Sequence, residues 1–428
     1  MAKTIVNVEE KVNISKYLAE FRMLKSEGVV TQNNLKKKIL FGDASFENGF
    51  IKVFDKRVID FLDYLSNKII NQKNIKKFPS LFYVGYWLRK SNIDRIISNY
   101  SKEEFFSPRG NVLHISPGNI PSIFIFSLVF GMLAGNKNFV KISSVNYEED
   151  KIFIDILKKT LNKNKKFKFI KSLITILKYD KKEDSITKIL FEKCDTRVIW
   201  GSDETVKELR KFDVPPNSNE LIFPDRYSIS LINNSSSTKK NINNLAKKFF
   251  KDTLHYDQFI CSSPHLIYWL NDNRNKLKEK FWKEFRKIIK SNYKFSEKMI
   301  VLKHDKLTLD LMEKKNIKSF FKFDNELYLI NLDKKKSISE NLSNYKGQFG
   351  IFYQKNINLL SELIIDNDRK IQTLTYAGLT KDSLKSFFRK IDLKGIDRIV
   401  PLGEALEFSH IWDGIDLIRH LTKVRYFN

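Results

Sequence analysis

Thiols are the scarcest nucleophiles in this sequence: Cys194 and Cys261 are the only cysteines among 428 residues. Cys261 lies in Asp257-Gln258-Phe259-Ile260-Cys261-Ser262-Ser263-Pro264, shortly after a predicted helix. Backbone donors there would lower the thiol's pKa and make it nucleophilic. The competing reading is a small buried core residue. Cys194, inside Phe191-Glu192-Lys193-Cys194-Asp195-Thr196 between a helix and a strand, fits that second reading. Two cysteines exclude a disulfide framework and a thiolate zinc site. The six histidines (His114, His255, His265, His304, His410, His420) form no pair at metal-ligand spacing, so no metal is expected.

The elements that must position Cys261 follow an α/β rhythm from Asn111 onward. Val112–Ile115 is a short β-branched run ending at the turn Ser116-Pro117-Gly118-Asn119. An apolar helix is predicted from Ser122 to Leu133, stopped by Gly135, and a strand from Asn138 to Ile142. Helix Tyr147–Leu161, strand Leu173–Leu177, helix Ser185–Glu192, strand Arg197–Trp200 and helix Glu204–Lys211 continue the alternation. This alternation predicts a parallel, doubly wound sheet, which binds nucleotides where strand ends meet helix starts. A second α/β segment starts near Tyr227–Ile232 and runs through the helices Asn241–Phe250 and Arg274–Lys290. Strands Leu327–Ile330, Gly350–Tyr353, Ile371–Tyr376 and Arg398–Val400, helix Lys381–Lys390 and a helical tail around Ile415–Leu421 complete it. Residues 1–105 mix helical patterns with short strands, and the aromatic stretch Phe78–Ile97 reads as a helix docked on a core. The expected division is 1–105 N-terminal, 106–235 cofactor-binding, 236–400 catalytic and 401–428 a tail on the core.

Composition bounds the rest. With 42% apolar and 13% aromatic residues the chain buries enough surface to fold. The net charge of +27 is spread along the whole sequence, in runs such as Lys36-Lys37-Lys38 and Lys334-Lys335-Lys336. A nucleic-acid binder would gather that charge on one face or tail, so a nucleic-acid partner is not expected, and a polyanionic small molecule fits the charge equally well. The start MAKTIVNVEEKV has no apolar core of a secretory signal, and the apolar run Ile120–Ala134 is shorter than the ~20 residues of a membrane span. A soluble, cytoplasmic protein is the expectation.

Several segments in order resemble the aldehyde dehydrogenase superfamily, and more closely its acyl-CoA reductase branch, the LuxC family. Ser116-Pro117-Gly118-Asn119-Ile120-Pro121 is similar to the turn that presents a catalytic Asn. Ala134-Gly135-Asn136 with Val140-Lys141-Ile142-Ser143-Ser144 is similar to the strand whose Lys holds the adenosine ribose. Ile199-Trp200-Gly201-Ser202 resembles the Gly-Ser strand end beneath the nicotinamide, and Gly378–Asp382 a later catalytic-domain segment. Asp397-Arg398-Ile399-Val400-Pro401-Leu402-Gly403-Glu404-Ala405-Leu406 and Ile411-Trp412-Asp413-Gly414 resemble the LuxC branch specifically.

The resemblance implies an aldehyde dehydrogenase-like α/β fold, with a Rossmann-type cofactor domain and a second α/β catalytic domain. It implies reduction of an acyl-CoA or acyl-protein thioester to a fatty aldehyde, through an acyl group carried on Cys261. Asn119 and the Cys261 backbone N–H would stabilise the oxyanion; as a turn residue alone, Asn119 would be an αL former. Lys141, Ser143, Ser144, Gly201 and Ser202 would hold the cofactor. Ser144 stands where NAD-dependent relatives carry a carboxylate, which favours NADPH. Hydrolytic relatives carry a Glu-Leu-Gly-Gly-Lys segment; the stretch Ile222–Tyr227 lacks both glycines, with Glu220 nearby. An acyl-protein synthetase and an acyl-transferase are the implied partners in luminous bacteria, with a homo-oligomer as the expected assembly. The rival readings are an aldehyde-oxidising dehydrogenase and a non-catalytic basic scaffold or RNA-binding protein.

Overall fold

The computed structural model describes residues 33–47, 49–101, 105–333, 345–365, 368–391 and 394–426. The N-terminal run 1–32 and the lysine run 334–336 therefore lie outside the described residues.

The strands in chain order are β1 (Ile39–Phe41), β2 (Phe106–Pro108), β3 (Asn111–Ile115), β4 (Lys137–Lys141), β5 (Ile174–Leu177), β6 (Thr196–Trp200) and β7 (Asn219–Phe223). All of these but β2 form a six-stranded sheet in the order β1-β5-β4-β3-β6-β7, parallel except for the β1 edge. Residues in β3, β5 and most of β4 and β6 are fully buried, which is why they read as continuous apolar runs. The chain winds outward from β3 to β4 and β5, then returns to β6 and β7 on the other side. That reversal makes the crevice between β3 and β6 the topological switch point, at the carboxyl ends where Ile115 pairs with Ile199. The expected doubly wound sheet is thus present.

A second sheet follows from β8 (Tyr227–Asn233), β9 (Pro264–Leu270), β10 (Ile317–Phe323), β11 (Leu327–Leu332), β12 (Ile351–Ile357), β13 (Ile371–Ala377) and β14 (Arg398–Pro401). Its order is β10-β11-β12-β9-β8-β13-β14, antiparallel only between β10 and β11. Strand β8, which the expected boundary at 235 assigns to the cofactor domain, is instead central in this second sheet. The chain passes between sheets at Pro224-Asp225-Arg226, because β7 completes one ladder and β8 begins the other.

The predicted tail helix Ile415–Leu421 is shortened to Leu417–His420. Ile415 is taken by the small hairpin of β15 (Ile411–Trp412) and β16 (Ile415–Asp416), and β17 (Thr422–Val424) pairs with β2. The aromatic stretch is likewise two helices, Pro79–Trp87 and Lys90–Ile97. Trp87 donates through Nε1 to Phe408 O at 2.8 Å, and Tyr83 through its hydroxyl to Leu406 O at 3.0 Å, so the tail lies on the N-terminal helices.

Asp252 anchors the same tail to the second domain. Its carboxylate accepts from Gly403 N (2.5 Å) and Ala405 N (3.1 Å). Burial pushes this carboxyl up to about 7, against the two amide hydrogen bonds. A raised folded-state pKa means the folded chain holds the proton more tightly, so this contribution is full below pH ~4 and is lost as pH rises through about 7. The melting-temperature difference between Asp252→Asn and the parent chain should accordingly shift in the variant's favour from pH 4 to pH 8. A difference that does not change with pH would remove the assignment.

Candidate active site

The carboxyl end of β3 and the amino end of β9 meet at one seam. After β3, the turn Ser116–Asn119 is braced by Tyr147, whose hydroxyl donates to Gly118 O at 2.8 Å, and by Asp150, which accepts from Ser122 N at 2.8 Å. Ser122 has a φ of 60°, a left-handed conformation that this carboxylate contact holds in place. Asn119 emerges exposed from the turn, and its Nδ2 donates to Phe259 O at 3.4 Å. Cys261 lies two residues further along that loop, three residues before β9. The structure therefore brings the Asn119 amide to the cysteine loop. A doubly wound sheet is expected to use the carboxyl ends of its strands, and the first sheet does. The second sheet supplies Cys261 from an amino end, because the loop entering β9 is the one that meets the turn after β3.

Ser228 Oγ donates to Cys261 O at 2.7 Å and accepts from Thr373 N at 3.1 Å, tying the loop to β8 and β13. Cys261 is partly exposed, and burial pushes its thiol above the ordinary value. A hydrogen bond from the Arg226 backbone N–H acts the other way, Asp413 and Asp225 add to the rise, and Lys346 opposes it. The expected lowering of this thiol's pKa is thus corrected: desolvation outweighs the backbone donor. Cys194 is fully buried, and its thiol is likewise pushed up by burial.

The tail segments Asp397–Leu406 and Ile411–Gly414 have a local role here. Asp397 and Asp413 both pair with the Arg226 guanidinium, whose own backbone faces the thiol. Arg398 donates to Ala405 O (3.1 Å) and Glu407 O (2.9 Å) and lies over the Trp412 ring.

Lys141 ends β4, level with Ile115 and Leu177. Burial lowers its pKa, while Asp180 nearby raises it. Sequence reasoning missed Asp180 as a carboxylate near this lysine. Ser144 Oγ donates to Tyr179 O at 3.4 Å. Ser143 faces elsewhere: its hydroxyl accepts from Val145 N, and a Cβ on Gly118 would stand 3.2 Å from its Oγ. Ser143 thus lies against the Asn119 turn. Gly201 and Ser202 follow β6 at the switch point, where a Cβ on Gly201 would meet Thr205 at 3.0 Å and Ser202 Oγ caps the helix Asp203–Leu209. The carboxyl ends of β4 and β6, on either side of β3, thus carry an ammonium and a glycine with little space for a side chain, groups that would suit a nicotinamide dinucleotide in the crevice.

Glu220 accepts two hydrogen bonds from Arg210 and lies 3.5 Å from Arg197, its ladder partner in β6. It sits near the start of β7, away from the carboxyl ends that form the seam.

An apolar cavity of about 590 Å³ opens beside Cys261. Ile260 and Ser262 flank the cysteine in its wall, Ile120 and Pro121 follow Asn119, and Phe82, Tyr83 and Tyr86 come from helix Pro79–Trp87. Phe408 and Trp412 of the tail complete it. Reading this helix as merely docked on a core missed these residues. The available signal was that its aromatics leave no polar face: Tyr86 is exposed and Phe82 and Tyr83 half-buried. A larger cleft, about 780 Å³, lies between helix Lys276–Asn292 and the β10–β11 hairpin and contains none of the residues singled out in the sequence.

Residues 89–424 match the family model described as acyl-CoA reductase (LuxC). Among curated proteins, a long-chain acyl-protein thioester reductase of Aliivibrio fischeri is 26% identical over 200 residues, covering 45% of this chain and 39% of that protein. A long-chain acyl-protein thioester reductase 2 of Photobacterium leiognathi is 25% identical over 167 residues, covering 39% and 33%. The matched segments thus span well under half the length of these relatives. Among solved structures, aldehyde dehydrogenase 21 from Physcomitrella patens superposes with a TM-score of 0.61 at 12% identity, covering 86% of this chain and 83% of that one. A benzaldehyde dehydrogenase from Corynebacterium glutamicum gives 0.59 at 13% identity, over 87% and 82%. At such identities the likeness is one of fold.

Proposed function

Because the chain belongs to the acyl-CoA reductase (LuxC) family, we propose that it reduces a long-chain acyl thioester, on coenzyme A or on a protein, to the fatty aldehyde through an acyl group held on Cys261. The observation that carries this reading is the seam itself: the Asn119 amide bonded to the cysteine loop at the mouth of an apolar cavity of about 590 Å³. A cavity of that size and lining suits an apolar chain rather than a small polar aldehyde.

The Cys261 sulfur attacks the thioester carbon; the new C–S bond forms as the bond to the carrier's sulfur breaks, and the proton given up by Cys261 leaves on the carrier's thiol. The Asn119 amide, held by a long hydrogen bond that is easily exchanged, turns to the oxyanion together with the Cys261 N–H. A nicotinamide cofactor, when bound, supplies the hydride that makes the acyl carbon an aldehyde and returns the thiol. Lys141, Ser144, Gly201 and Ser202 would hold it, with Ser143 supporting the Asn119 turn behind them. Glu220 lies near the start of β7, away from the seam, which supports a reading without a water-activating carboxylate beside Cys261. Incubating the chain with NADPH and a panel of acyl-CoAs and acylated protein, while following nicotinamide absorbance, tests the reading. Oxidation of aldehydes with no acyl reduction would replace it with the dehydrogenase reading.

NADPH is the proposed cofactor because Ser144 leaves room for a 2′-phosphate and Lys141 offers it a cation. Such a contact contributes ~1.5–3 kcal/mol, or ~10- to 100-fold in affinity. Ser144→Glu should weaken NADPH binding by about that factor and improve NADH binding, and Lys141→Ala should weaken both, NADPH more. Titration by nucleotide fluorescence at fixed ionic strength measures this. A parent chain that binds NADH as tightly as NADPH would refute it. A cytoplasmic location, a homo-oligomer, and an acyl-protein synthetase and acyl-transferase as partners belong to the same reading. Among the described residues no helix is long and apolar enough to cross a membrane.

A further inference from the structure

The loop that carries Cys261 begins with two consecutive left-handed residues, neither of them glycine. Asp257 has φ 54° and Gln258 has φ 66°. Side chains rarely adopt this region, and two in succession persist only where the surroundings over-determine them. Two strong contacts do so here. Tyr293 donates its hydroxyl to the Asp257 carboxylate. Gln258, 2% exposed, uses both ends of its amide on the start of β12: Oε1 accepts from Gly350 N at 2.8 Å and Nε2 donates to Ile351 O at 3.1 Å. Its own backbone N–H donates to Thr253 O at 3.0 Å, and the Phe259 ring stands edge-on to Phe349, 5.3 Å between centroids. The anchor is rigid, because β12 is buried and pairs with both β9 and β11.

The next residue, Phe259, offers its carbonyl to Asn119, and Cys261 follows two residues later. We propose that Gln258 is a positioning residue: its buried amide fixes the Phe259–Cys261 segment to β12 and thereby sets the thiol against Asn119. It touches neither substrate nor cofactor and acts only through the geometry of Cys261. The proposal rests on the reading of Cys261 as the acyl-accepting nucleophile.

Two variants separate the side chain from the backbone. Gln258→Gly adopts a positive φ without cost but removes both hydrogen bonds. Gln258→Glu keeps the acceptor for Gly350 N and sets a second acceptor against Ile351 O. Three quantities are measured on the full-length chain: the rate of thiol release from an acyl-CoA at saturation, the acyl-CoA concentration giving half that rate, and the rate of Cys261 alkylation by iodoacetamide, read by peptide mass spectrometry. Displacing reacting groups by about 1 Å costs ~100-fold. Both variants should therefore lose ~10- to 100-fold in saturated acylation, with the half-saturating concentration and the alkylation rate within ~3-fold of the parent. Acylation within ~3-fold of the parent in Gln258→Gly would overturn the proposal. So would parallel loss of acylation and alkylation in both variants, which would make Gln258 a residue of the fold alone. A parent chain that is alkylated at Cys261 but never acylated would instead defeat the acyl-reductase reading on which the proposal rests.

Discussion

Cys261→Ala is expected to abolish both acylation and aldehyde formation, while Cys194→Ala leaves both largely intact. The contrast follows from position. Cys261 is partly exposed at the seam, between two residues that line the apolar cavity, whereas Cys194 is 1% exposed in the core beside the first sheet. Incubation with a radiolabelled acyl-CoA and autoradiography of the denatured protein reads the covalent step directly. Label retained on Cys261→Ala would sink the assignment. The raised thiol pKa adds a second expectation with a fixed sign. Since burial favours the protonated thiol in the resting chain, acylation should accelerate as pH rises from neutrality into the alkaline range. A rate already at its plateau at pH 6 would mean that the thiol is ionised in the resting site.

Asn119→Ala should lower turnover ~100-fold or more, with a much smaller change in nucleotide affinity. The amide acts on charge present only after thiol attack, and one such donor typically contributes ~3–4 kcal/mol to the barrier. Its ground-state bond to Phe259 O is long, at 3.4 Å, so little stability is tied up in it. The turn is held by Tyr147 and Asp150 on either side, and should survive the substitution. Turnover that is unchanged while the melting temperature drops would show Asn119 to be a turn residue only.

Much of the first sheet and its helices was legible because strands buried on both faces read as apolar runs, and intervening helices read at their own period. Asn119 and Cys261 were singled out by their place in the family resemblance, and the structure sets the Asn119 amide against the loop that carries Cys261. What escaped did so for identifiable reasons. Helix Glu297–Glu313 buries only Lys303, Leu307 and Asp310, so it has no apolar stripe to detect. Lys303 instead donates to three backbone carbonyls, of Asn325, Glu326 and Phe349. The tail's predicted helix lost its start to the hairpin of Ile411–Trp412 with Ile415–Asp416, and the residues just after it pair with β2, a partner distant in sequence. The thiol's raised pKa depends on how deeply the loop is seated, which residue type does not reveal. The cavity wall was hidden for the same reason, since nothing local to Phe82 or Tyr83 announces a neighbour near residue 408.

That last separation has a consequence for how the molecule is made. The bonds Tyr83–Leu406 and Trp87–Phe408 close loops of 323 and 321 residues. Contacts of such range form late, because the entropy of closing the loop is lost before the contact returns anything. During synthesis the cysteine and its Asn119 partner leave the ribosome well before Phe408 and Trp412. The loop that carries Cys261 thus exists for a time beside an unfinished cavity, whose apolar wall closes only once Phe408 and Trp412 have followed.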